Sequence, residues 1–94
     1  MAEKDFTPSE LYDVWPMLSL EERVEGFEVL KRDAADDFFL QLSPRDRAQL
    51  LLALPVGERR LWMRMLAPDD AADLIQEAPG HQRKSLLALL DDPV

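Results

Sequence analysis

The feature that most constrains this chain is repetition at a fixed, short period. From Thr7 the sequence divides without a gap into seven segments of twelve residues, among them SLEERVEGFEVL (Ser19–Leu30), SPRDRAQLLLAL (Ser43–Leu54) and APDDAADLIQEA (Ala67–Ala78). The last position of the seven is Leu18, Leu30, Leu42, Leu54, Leu66, Ala78 and Leu90, and the ninth is Trp15, Phe27, Phe39, Leu51, Met63, Ile75 and Leu87. Five of the eighth positions are also large and apolar: Phe38, Leu50, Trp62, Leu74 and Leu86. Apolar residues at eight, nine and twelve predict one stripe of a helix, at i, i+1 and i+4. A helix this short is not stable alone, so its stripe must pack on neighbouring units, which predicts an all-α solenoid.

The segment starts carry helix-entry chemistry. Thr7-Pro8-Ser9-Glu10 offers an N-cap hydroxyl, proline at the first helical position and a carboxylate three residues after the cap. Ser19-Leu20-Glu21-Glu22 and Ser43-Pro44-Arg45-Asp46 repeat the scheme, whereas Ala67-Pro68-Asp69-Asp70 replaces the cap with alanine. Pro55 and Pro79 stop the helices before them, and Pro16 predicts that the first helix ends or kinks at Trp15. No alternating β-branched run competes. Two pairings recur three units apart: Glu22-Arg23 with Glu58-Arg59, and Ala34-Ala35-Asp36 with Ala71-Ala72-Asp73. Small alanines in a first turn admit a close neighbouring helix.

Ninety-four residues suffice for one modest core, expected over 7–94 behind a tail of residues 1–6. No apolar run is long enough to span a membrane, and the N-terminus lacks the pattern of a signal peptide. The absence of cysteine excludes disulfides and thiolate metal sites. A net charge of −8 repels phosphate backbones and anionic lipid, so nucleic acid and direct membrane insertion are not expected, and cations or basic partners are attracted.

Several residues invite a chemical reading. Asp69 and Asp73 lie four apart on one helical face, a repulsive pair that a hard divalent cation with oxygen ligands would neutralise. From spacing alone the helix dipole, which stabilises acids in a first turn without a metal, is the preferred explanation. His81, the only histidine, has Ser85 one turn away but no orienting acid, so it reads as an exposed residue at a helix start, and no nucleophile–base–orienter set for an enzyme is found. Arg23, Arg47, Arg59 and Arg83 share the fifth position and are expected to form ion pairs between helices. Trp15 and Trp62 fall on the core stripe. Phe38 and Phe39 are adjacent and cannot point inward equally, so one is expected at an interface.

The run Leu-Ser-Pro … Leu-Pro … Glu-Arg … Leu-Ala-Pro-Asp-Asp-Ala-Ala-Asp-Leu … Leu-Leu-Ala-Leu-Leu-Asp-Asp-Pro, from Thr7 to the C-terminus, resembles the intracellular N domain of MgtE-type magnesium transporters. Its most specific piece is Ala67-Pro68-Asp69-Asp70-Ala71-Ala72-Asp73-Leu74. The resemblance implies a right-handed superhelix of short helices on the cytoplasmic side of the membrane, followed in a full-length, dimeric transporter by CBS domains, a plug helix and a pore. It implies that Mg ions bridge acids of this domain to acids of the CBS domains and close the pore when magnesium is high. Asp36, Asp69 and Asp73 match acidic positions at which the family's N domain meets magnesium, with Asp37 and Asp70 as neighbours that could substitute. The chain departs from the family in having no CBS domains or transmembrane helices, so it is expected to be a piece or a stand-alone relative. Six residues also cannot supply the extra helix that often precedes Thr7 in the family. The rival expectation is a helical-repeat interaction module without a metal role, similar to the flagellar motor switch protein, although Gly80-His81-Gln82 only faintly echoes that family's Glu-His-Pro-Gln signature.

Overall fold

The computed structural model describes residues 7–91, so the expected tail of residues 1–6 lies outside the described residues, as do 92–94. Seven α-helices follow one another: α1 (Pro8–Val14), α2 (Leu20–Glu28), α3 (Arg32–Gln41), α4 (Pro44–Ala53), α5 (Val56–Met65), α6 (Pro68–Glu77) and α7 (Gly80–Asp91). A 3₁₀ turn, Trp15–Met17, follows α1, as Pro16 predicts, and no strand occurs among the described residues. Every helix begins on the second residue of its twelve-residue segment.

Local chemistry explains these starts. Thr7 and Ser19 form reciprocal capping boxes with Glu10 and Glu22, and the Ser43 hydroxyl accepts from the Asp46 amide at 3.2 Å. Ala67 caps nothing with its side chain, and α6 relies on Pro68 at its first position.

The helix exits correct the expected stripe. In the middle segments the residue at position twelve is not helical: Leu42, Leu54, Leu66 and Ala78 have φ from −71° to −81° and ψ from 145° to 158°, whereas Leu90 of the last segment lies within α7. The next residue is also extended, as at Ser43 (−67°, 160°) and Ala67 (−63°, 156°). Two extended residues in succession turn the chain without a left-handed residue, so the links need no glycine. Proline enforces the same geometry, either by fixing its own φ at Pro55 or by pushing Ser43 and Ala67 away from helical angles. The position-twelve amide still bonds back to the helix, as from Leu66 to the Met63 carbonyl at 3.3 Å, and its side chain turns inward.

The chain forms two compact units, Met1–Leu42 and Ser43–Val94. In the first, α1 packs on α3 around Phe38, whose ring lies 4.9 Å from Trp15, 6.1 Å from Phe27 and 6.4 Å from Tyr12. Phe39 meets Phe27 at 6.4 Å. Phe38 and Phe39 are both fully buried, contrary to the expectation that one would face an interface. The covered arc of α3 is wide enough for two neighbouring residues about 100° apart. In the second unit α4 packs on α6 and α5 on α7, burying Leu50, Leu51, Met63, Leu74 and Leu86, with Trp62 also in the core. The stripe fails in the last segment, where Leu87 and Leu90 are exposed.

The fifth-position arginines are also corrected. Three donate to backbone carbonyls near the end of the preceding element: Arg23 Nε to Trp15 at 3.1 Å, Arg59 Nη2 to Leu52 at 2.8 Å, and Arg83 to Ala78 at 3.1 Å and Gln76 at 2.8 Å. Carbonyls at the end of an α-helix lack an α-helical partner and carry the negative end of its dipole, so a guanidinium suits them; the Trp15 carbonyl also accepts from the Leu18 amide at 3.1 Å. Arg23 also lies over the Trp15 ring at 5.1 Å. At Arg47, which is buried, an ion pair joins two helices, with Nη1 4.0 Å from Asp70 Oδ1. Arg59→Ala is expected to destabilise the second unit by about 1–3 kcal/mol, because the Leu52 carbonyl loses a charge-assisted donor. Urea denaturation of the variant checks this; a midpoint unchanged from the parent would show that water replaces the guanidinium.

Candidate cation-binding face

The acids of α6 are sorted by the face on which they lie. Ala71, Leu74, Ile75 and Ala78 are buried and form its inner side. Asp70, half exposed, reaches toward Arg47 of α4 at 4.0 Å. Asp69 and Asp73 are exposed, one turn apart, and face away from the core. No protein cation is bonded to either among the described contacts. The uncapped first turn of α6 adds the positive end of the helix dipole beside Asp69.

Asp36 sits differently. It belongs to the first compact unit, is half-buried, and accepts a 2.9 Å hydrogen bond from Arg32 Nε one turn before it on α3. Its carboxylate already has a cationic partner, so a metal ion must compete with Arg32. The helix starts also change the internal correspondence. Arg32 and Pro68 open their helices thirty-six residues apart, which pairs Ala35 with Ala71, both buried, and pairs Asp73 with Asp37 rather than Asp36. Asp37 is exposed. Counting from the segment start reveals this equivalence; matching the Ala-Ala-Asp string conceals it by one residue.

Among the described residues no three Asp, Glu, His or Cys side chains stand together as a metal site. The pair Asp69 and Asp73 nonetheless has the right donors for a hard divalent cation, two carboxylates open to water, with the remaining positions left for solvent or another molecule's oxygens. His81 is exposed at the start of α7, and both tryptophans are buried, as the sequence suggests. No helix is long and apolar enough to cross a membrane among the described residues.

Comparison with known proteins gives one result. The model of a family described as the MgtE intracellular N domain matches residues 6–93. No curated protein and no solved structure matches the chain.

Proposed function

This chain belongs to the family of MgtE intracellular N domains, and from that premise we propose that it senses divalent cations through Asp36, Asp69 and Asp73 and gates a magnesium pore by docking on CBS domains. The family is one of magnesium-transporter domains, in proteins that also carry CBS domains, and is not a class of enzymes. The right-handed superhelix, the cytoplasmic location and a homodimer formed through a full-length transporter belong to the same proposal.

The observation that carries it is the exposed, uncompensated pair on α6. Like charges one turn apart cost a few tenths of a kcal/mol, and only Asp69 lies close enough to the helix start to recover this from the dipole. Mg with retained waters relieves the repulsion and leaves coordination positions for acids of a second domain. Docking is then favoured to the extent that the ion binds the docked state more tightly than the free one. At low magnesium the facing carboxylates repel and the domains separate. Asp36 takes part once the ion displaces Arg32, with Asp37 beside it.

A proton–nitrogen NMR titration with magnesium to tens of millimolar, with potassium as the ionic-strength control, tests the domain's own half of the site. Saturable shifts confined to the first turns of α6 and the middle of α3 are expected. Arg32→Gln is expected to strengthen the α3 response by up to roughly fivefold, the value of an exposed ion pair. Shifts that potassium reproduces equally would leave the plain interaction module as the better reading.

A further inference from the structure

The first compact unit contains an apolar groove of about 330 Å³ between α1 and α2. Leu11, Val14, Leu18 and Val29 line it, and the polar groups among its lining residues are the carboxylates of Glu22 and Glu25. The repeat explains its position. Five segments fill their eighth place with Phe, Trp or Leu, but the first two have Val14 and Gly26 there, and both line the groove. Gly26 brings the α2 backbone close to α1: a Cβ there would come within 2.8 Å of Leu11 Cδ1, so a larger residue would displace the Leu11 side chain that lines the groove. Val29 at the lip is 60 % exposed.

The charge around this groove is one-sided. The first forty-two residues hold eleven Asp and Glu against four Lys and Arg, a net −7, while the remaining fifty-two are close to neutral at −1. Four glutamates, Glu21, Glu22, Glu25 and Glu28, lie on α2 itself. Glu22 is held in place by its bond from the Ser19 amide at 2.9 Å. Glu25 is exposed with no described partner.

We infer that this groove is a docking site for a cationic amphipathic helix, with one large aliphatic side chain seated between α1 and α2 and flanking Lys or Arg residues paired with Glu22 and Glu25. A helix laid in a groove between two helices places anchors at i, i+3 and i+4, so apolar and basic groups reach the floor and the rim together. The acidic rim excludes anionic membranes and acidic peptides. The site does not depend on the magnesium reading, since it uses different residues and needs no ion.

The test is binding, in chelator, of a synthetic lysine–leucine helix of about eighteen residues, with leucines at helical spacing on one face. The control is a peptide of the same charge with every leucine replaced by glutamine. Saturable binding is expected, with NMR shifts at Leu11, Val14, Gly26 and Val29, and weakening with salt. Glu25→Gln should weaken binding a few-fold. Val29→Asp should weaken it roughly tenfold by spoiling the apolar seat, although it adds a negative charge. Equal binding of the glutamine peptide, tighter binding by Val29→Asp, or shifts confined to the second unit would each overturn the inference.

Discussion

Phe38→Ala is expected to destabilise the first compact unit by about 3–5 kcal/mol, the usual cost of deleting a buried aromatic ring. Phe38 is 1 % exposed, and its ring touches those of Tyr12, Trp15 and Phe27, which come from three different elements. Removing it leaves a cavity bounded by large rings that cannot collapse without moving α1 against α3. Set against the 5–15 kcal/mol that holds a typical domain together, this loss takes most of the margin. Tyr12→Ala is the internal control: its ring is 48 % exposed, so the same truncation should cost far less. Urea denaturation, with hydrogen exchange read over α1 and α3, measures both variants. A loss at Phe38 no larger than that at Tyr12 would mean that the aromatic cluster is not the centre of this unit's core.

The second large effect concerns docking. Asp69→Asn together with Asp73→Asn is expected to remove most of the magnesium dependence of association with the CBS domains, a change of roughly 5- to 150-fold for a typical coupling between ligands. The substitutions keep shape and hydrogen-bonding capacity and remove charge, and both sites are exposed, so the free domain should retain its stability within about 0.5 kcal/mol. Calorimetry of the domain against a purified CBS pair, with and without magnesium, gives the number. Asp36→Asn should act more weakly, because Arg32 already shares that carboxylate. Undiminished magnesium dependence in the double variant would place the ion elsewhere and sink the role assigned to α6.

Much of the candidate site is visible in the string Ala67-Pro68-Asp69-Asp70-Ala71-Ala72-Asp73, because helical spacing alone puts Asp69 and Asp73 on one face. The fate of Asp70 is not visible there: it depends on Arg47, twenty-three residues earlier, arriving from α4. The pairing of Asp36 with Arg32 has the i, i+4 spacing of a local helix contact and is legible in the sequence. The arginines show a similar division. Their shared fifth position is plain in the sequence, but their carbonyl partners exist only once the preceding helix has ended beside them.

The sequence by itself determined where most of the helices start, because caps and prolines act over two or three residues and recur at the twelve-residue period. It also determined that the helices must pack on one another, since none is long enough to stand alone. Only the tertiary structure decided that Leu42, Leu54, Leu66 and Ala78 are inward-turned links and that Phe38 and Phe39 are buried together. It alone decided that Leu87 stays exposed and that Asp69 and Asp73, but not Asp70, are left without a protein cation. Those outcomes turn on which side chains of the neighbouring helix press against each face, and a repeat read along the chain does not distinguish them.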